Sequence, residues 1–214
     1  MTLHFDTAID HERERGFEVA QSAARRGDLV VMPTDTVYGL GCDAFSASGV
    51  AKLLEAKGRG RDMPVPVLVG SPDTIEGLAY GLSKPARDLV EAFWPGALTV
   101  VVRHQPSLAW DLGDANGTVA LRMPLHPVAI ELLRLVGPMA VSSANRSGSP
   151  PATTYAEAEA QLGDSVAVYL DAGTSGEAVP STIVDVSGPV PRLLRLGAID
   201  LDTLRTVAPD LTES

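Results

Sequence analysis

Between residues 10 and 26 apolar positions recur at three- and four-residue spacing. Phe17, Ala20 and Ala24 share one face, and Glu12, Arg13, Glu14 and Arg15 open the segment in water. That pattern predicts an amphipathic helix, which Gly27 stops. The run Leu29–Met32 is continuously apolar and ends at Pro33, as a short buried strand does. A loop holding Gly39 and Gly41 is expected next, then a helix capped by Ser46 or Ser48 that runs to about Ala56. Val65–Val69 reads as a strand, which Pro66 confines to a sheet edge or a strand start. Helices are expected near 72–79 and 84–93, and Leu98–Val102, rich in β-branched residues, is a strand.

Residues 106–117, with their Pro, Gly, Asn and Asp, should form a loop. A strand at Val119–Arg122, a helix at His126–Leu135 and a strand at Pro138–Ser142 follow, then a polar loop from Ser143 to Thr153. Beyond it the pattern gives a helix at 154–162, strands near 166–170, 182–186 and 192–195, and a last helix at 200–207 that fades into a polar tail, 208–214. Strands and helices alternate early and strands dominate later. The expected fold class is therefore α/β, a mixed β-sheet flanked by helices in one domain over 1–214, rather than a strict doubly wound sheet.

Composition narrows this only a little. A chain of 214 residues that is 45% apolar and 21% charged can bury a sizeable core without disulfides or a structural metal. Its single cysteine, Cys42, lies among apolar neighbours and reads as a small core residue in a reducing compartment. A net charge of −10 speaks against a surface that grips nucleic acid as a whole, though not against a local basic cleft. Neither a membrane-spanning run of about 20 apolar residues nor a secretory leader is visible, so a cytoplasmic location is expected.

The common catalytic signatures are missing: there is no P-loop, no third glycine after Gly39-Leu40-Gly41, no zinc-type histidine spacing and no nucleophile elbow. Three polar clusters remain. Pro33-Thr34-Asp35-Thr36-Val37-Tyr38-Gly39-Leu40 puts two hydroxyls, a carboxylate and a phenol at a strand's carboxyl end, where α/β sheets bind ligands; a self-satisfied turn reads equally well. Lys57-Gly58-Arg59-Gly60-Arg61 packs three cations with glycines that allow close approach, a pattern for phosphate or carboxylate or for a solvated loop. Ser142-Ser143-Ala144-Asn145 ends a strand in small donors and acceptors, fit for a nucleotide or for a turn. Arg122, Ser181 and Arg195 add groups from distant sequence.

Taken in order, these pieces resemble the YrdC-like family of threonylcarbamoyl-AMP synthases. The resemblance rests on Pro33–Leu40, Lys57-Gly58-Arg59, Phe93-Trp94-Pro95-Gly96-Ala97-Leu98-Thr99, Arg122-Met123-Pro124, Ser143-Ala144-Asn145, Ser181-Thr182-Ile183 and Leu194-Arg195-Leu196-Gly197, and it spans about 17–205. It implies a twisted mixed sheet with a concave cationic pocket, in the family's single-domain form. Lys57, Arg59, Ser143 and Asn145 would line the pocket's centre as the catalytic set. Thr36, Tyr38, Arg122 and Ser181 would select L-threonine, with Arg122 on its carboxylate. Arg59, Thr118, Ser143 and Arg195 would meet ATP. Met63, Leu68 and Pro151 depart from residues that relatives use near the ligands.

The implied reaction needs no side-chain nucleophile. The neutral amine of threonine takes up bicarbonate or carbon dioxide, and the carbamate attacks the α-phosphorus of ATP, releasing pyrophosphate. Mg²⁺ would accompany ATP, with no organic cofactor and no protein metal site. The product would pass to a TsaD/Kae-type transferase complex that modifies tRNA at position 37 as N6-threonylcarbamoyladenosine. Two other readings stand beside this one. One is a nucleic-acid module with some RNA affinity, which the acidic charge disfavours. The other is a carbamoyltransferase of the hydrogenase-maturation type, whose extra cysteines and length this chain lacks.

Overall fold

The computed structural model describes residues 2–176 and 178–213. Among these the chain builds one sheet of eleven strands in the order β1-β8-β2-β3-β7-β4-β6-β5-β9-β10-β11. The strands are β1 (Leu3–Asp6), β2 (Val30–Met32), β3 (Gly39–Asp43), β4 (Val67–Leu68), β5 (Leu98–Arg103) and β6 (Thr118–Arg122), then β7 (Met139–Ser143), β8 (Val168–Asp171), β9 (Thr182–Asp185), β10 (Arg192–Arg195) and β11 (Thr212–Glu213). The helices are α1 (Asp10–Arg25), α2 (Ala47–Lys57), α3 (Thr74–Leu78), α4 (Lys84–Phe93), α5 (Pro127–Val136), α6 (Tyr155–Leu162) and α7 (Leu201–Val207). Parallel and antiparallel pairs are interleaved, so the mixed α/β class expected from the sequence is the observed one. No helix among the described residues is long and apolar enough to cross a membrane.

Alternation along the strands gives each face its own fate. On one face Leu40, Cys42, Val67, Leu98, Val100, Leu121, Ala140 and Val184 form the larger core, into which Leu53, Leu89, Leu162 and Leu204 pack from α2, α4, α6 and α7. On the other, α1 and α5 bury Phe17, Ala20, Leu132 and Leu133 against Val30, Met32, Met139, Val141 and Val168. That second cluster stops partway across the sheet. The residues of β5, β6 and β9 that point the same way, Thr99, Val101, Thr118, Ala120, Arg122 and Ile183, belong to neither core. Half of one sheet face is thus left outside both cores, to interleaved polar and apolar side chains and to the loops beside it.

Four departures from the expected elements have physical causes. Gly39–Asp43 is a strand and not a loop: a Cβ on Gly39 would stand 2.8 Å from Val141 Cγ1, and one on Gly41 would meet Val141 Cγ2 at 3.0 Å. The glycines are there because the neighbouring strand's valine fills the space, not because the chain turns. β1 lies before the first helical pattern and pairs in parallel with β8. Pro66 does precede a strand start, yet β4 is central, flanked by β6 and β7, and the Pro66 carbonyl accepts from Val141 N at 2.8 Å. The expected polar tail also buries Ala208 and Leu211 and adds β11 along β10.

Candidate active site

Helix α2 ends where the second polar cluster begins. Ser46 caps its start, accepting from Gly49 N. Gly58, at φ 61°, closes its end in a Schellman arrangement, with Gly58 N donating to Glu55 O and Arg59 N to Leu54 O, both at 2.9 Å. This turn places Lys57 and Arg59 on either side of the helix terminus, where cations are favoured.

Lys57 is only 3% exposed, and its ammonium points at the carboxyl end of β7. It donates to Ser143 O (2.6 Å), Asn145 O (2.8 Å) and Asn145 Oδ1 (3.1 Å), with Ser143 Oγ at 3.4 Å. Asn145 in turn donates through Nδ2 to Ser149 O (2.6 Å) and Arg146 O (3.1 Å), and Ser147 N returns to Lys57 O at 2.9 Å. Lys57, Ser143 and Asn145 therefore come together as expected, but the lysine's three protons are already committed to the 143–149 loop. Burial and the neighbouring Arg59 push the Lys57 ammonium down to about 8.

Arg59 is differently placed. Its bonds to Ser142 Oγ and Pro64 O are both 3.4 Å long, and its buried Nε has no partner among the described residues. Burial lowers its pKa, offset in part by Asp62. An arginine stays charged under any such shift, so this is a cation with unfilled hydrogen-bonding capacity. Thr118 begins β6, and its hydroxyl donates to Ala115 O at 2.8 Å. The segment after Arg59 meets the loop that leads into Thr118, with Asp114 N donating to Arg61 O at 2.8 Å and Val65 N to Leu112 O at 2.9 Å, so Arg59 lies towards this end of β6.

The other end of β6 carries Arg122, about 13 Å further along at strand rise. It is 7% exposed. Its Nε donates to Gly96 O (2.9 Å), Nη1 to Thr36 Oγ1 (3.0 Å) and Nη2 to Asp35 Oδ1 (2.6 Å). Three of its five N–H groups are used, leaving one on each terminal nitrogen. Burial lowers the Arg122 pKa and Asp35 opposes that shift. Thr34 Oγ1 organises the loop below, accepting from Thr36 N and Val37 N and donating to Val37 O at 2.6 Å.

Ser181 sits beside this group from the start of β9. Its Oγ lies 2.8 Å from Thr99 Oγ1, and Arg195 donates to it and to its carbonyl at 3.1 and 2.7 Å. Arg195 Nη1 makes no bond among the described residues, and the guanidinium is lowered by burial and by the charge of Arg122. Thr36, Arg122, Ser181 and Arg195 are thus one constellation on the half of the sheet that no helix core covers.

Tyr38 does not join it. Its ring is fully buried, and its hydroxyl donates to Gly173 O (2.7 Å) while accepting from Ala172 N (3.0 Å). Burial pushes that phenol up to about 12. Tyr38 fixes the 172–176 strap instead, and Gly176 then packs so close to Thr36 that a Cβ there would lie 2.2 Å from its carbonyl oxygen. Cys42 is wholly buried, pushed up to about 12, and has no nucleophilic character.

Sequence reasoning gave no task to Asp35, Gly96 or Thr99. All three lay inside quoted motifs; what was lacking was the knowledge that they meet Arg122 and Ser181. A cavity of about 620 Å³ opens beside the last turns of α2, lined by Lys52, Glu55, Lys57, Arg146 and Ser147; Lys57 reaches it, and none of Thr36, Arg122, Ser181 or Arg195 does.

The Sua5/YciO/YrdC family model, described under telomere recombination, matches residues 22–197. A Mycobacterium tuberculosis (strain H37Rv) protein provisionally named threonylcarbamoyl-AMP synthase is 63% identical over 207 residues, covering 97% of this chain and 95% of its own. The threonylcarbamoyl-AMP synthase of Bacillus subtilis is 38% identical over 194 residues, covering 89% of this chain and 56% of its own length. Pyrococcus abyssi Sua5 complexed with L-threonine superposes with a TM-score of 0.92 at 32% identity over 100% of this chain, which spans 62% of the archaeal one. With most of its length matched in sequence and in fold, the chain belongs to the Sua5/YciO/YrdC family.

Proposed function

We propose that this protein is a threonylcarbamoyl-AMP synthase, forming threonylcarbamoyl-AMP and pyrophosphate from L-threonine, bicarbonate and ATP. The observation that carries the reading is the pair of incompletely bonded guanidiniums, Arg122 and Arg195, beside Thr36 and Ser181 on the half of the sheet outside both cores, with the under-bonded Arg59 nearer the other end of β6. In an acidic chain, cations with spare donors, Arg122 and Arg195 on one sheet face and Arg59 beside the end of β7, fit a substrate pair that is itself anionic. The L-threonine complex of the archaeal relative supports the amino acid as a ligand of this fold.

The remaining N–H groups of Arg122 meet the threonine carboxylate, and Thr36 and Ser181 offer hydroxyls to its polar atoms. Its neutral amine takes up bicarbonate with loss of water, giving a carbamate. A carbamate oxygen then attacks the α-phosphorus and pyrophosphate leaves. Arg59 and Arg195 face the phosphates, Thr118 and Ser143 mark the nucleotide side, and the protein acts by positioning and by charge stabilisation. Lys57 and Asn145 hold the 143–149 loop in place. Mg²⁺ enters with ATP as part of the substrate. Among the described residues no group of three or more His, Cys, Asp or Glu gathers into a metal cage, so phosphate oxygens and water would complete its shell. The adenylate would then serve a TsaD/Kae-type transferase in tRNA modification.

Incubation with ATP, bicarbonate and each amino acid in turn, read by pyrophosphate release and mass spectrometry, tests this. Threonine-selective formation of the carbamoyl-adenylate is expected; release indifferent to the amino acid would overturn it.

A further inference from the structure

The acidic residue of the Pro33–Leu40 segment has no part in the reaction as written, yet it holds the charge at the centre of the site. Asp35 Oδ1 accepts from Arg122 Nη2 at 2.6 Å and from Leu125 N at 2.9 Å. The pair is well enclosed, with side-chain exposures of 8% for Arg122 and 16% for Asp35. No other carboxylate among the described residues forms an ion pair with Arg122. Arg195 stands near enough to repel it.

Two consequences follow from elementary electrostatics. A buried guanidinium without a counter-charge is costly, and a second guanidinium nearby raises that cost. A guanidinium held at three points is also fixed in plane and direction. Gly96 O at Nε, Thr36 Oγ1 at Nη1 and Asp35 at Nη2 do this, and only one of the three is charged. By accepting from Leu125 N with the same oxygen, Asp35 also joins the 33–36 loop to the chain that follows β6.

We propose that Asp35 is a positioning residue for amino-acid recognition: it aims the two free N–H groups of Arg122 at the substrate carboxylate. The inference rests on the reading of Arg122 given above. Asp35 offsets the charge of Arg122, which keeps that guanidinium in place beside the second cation, Arg195. Asp35 itself touches no substrate; it acts through Arg122.

The test is L-threonine affinity by calorimetry for wild type, Asp35→Asn, Asp35→Glu, Arg122→Gln and the Asp35→Asn/Arg122→Gln double variant. Binding of a non-hydrolysable ATP analogue and thermal midpoints serve as controls on the fold. Asp35→Asn keeps the shape and an acceptor oxygen but removes the charge. It is expected to weaken threonine binding at least tenfold while the ATP analogue binds within twofold of wild type. Asp35→Glu should recover part of the loss. In the Arg122→Gln background Asp35→Asn should add nothing, because the residue it orients is gone. Unchanged threonine affinity in Asp35→Asn, equal loss of both ligands, or additive losses in the double variant would each overturn the proposal. If wild type itself fails to bind threonine, the functional reading falls instead.

Discussion

Lys57 and Arg122 are both buried cations at the edge of the same site, and they are used in opposite ways. The lysine meets four oxygens of its own chain and has no proton left to offer. The arginine meets three partners with five donors, and its neighbour Arg195, like Arg59 towards the far end of β6, also carries unused N–H groups. The difference follows from shape. A compact ammonium at the end of α2 fits a converging set of carbonyls, whereas a planar fork keeps its outer edge open after its inner edge is held. A cation in a recognised motif is therefore not in itself a ligand contact. Lys57 makes the loop that the arginines work beside.

Removing each side sharpens the contrast. Lys57→Met should abolish adenylate formation and also unsettle the fold, because two carbonyls and an amide oxygen lose their donor; a loss of about 3 kcal/mol in urea unfolding is expected. Arg59 holds no such set of oxygens, so its variants should fold normally. Arg59→Gln should cost about 100-fold in rate while stability stays within about 0.5 kcal/mol of wild type. Its two existing bonds are long and its Nε has none to lose. Equal destabilisation of the two variants would break the comparison.

Acidity offers a milder perturbation of the same clamp. Lys57 sits at about 8 in the fold against 10.5 ordinarily. Its ammonium is intact below pH 8 and lost as pH rises through that value, so kcat should fall on the alkaline side, by about tenfold one unit above. The stability effect has the opposite sign. The penalty on the charged form is full below about 8 and disappears by 10.5, so this group's contribution to stability rises across that window. A rate that holds flat to pH 10 at saturating substrates would contradict the clamp. The smallest effect belongs to Ser181→Ala. It removes one hydroxyl shared by Thr99 and Arg195, and a rise of about fivefold in the KM for threonine is expected, the equivalent of one net hydrogen bond.

The sequence was most legible where local rules decide. The serine cap of α2 and the glycine stop after α1 were readable as such, and so was the β-branched run of β5. It misled where a distant neighbour decides. Gly39 and Gly41 look like a loop until Val141 is set against them. Tyr38 looks like a ligand contact until Gly173 and Ala172 claim its hydroxyl. The site shows the same division. Its motif residues were all visible, but Asp35, Gly96 and Thr99 gained their tasks only from contacts across 82 to 87 positions of sequence or, for Gly96, 26.

The account turns on free arginine donors meeting a carboxylate, and the most direct measurement compares pyrophosphate release with L-threonine and with L-threoninamide, which keeps the reacting amine and lacks the charge. Release that requires L-threonine and drops at least 100-fold with the amide is the predicted result. Equal release with both would show that Arg122 is not the group that selects the substrate.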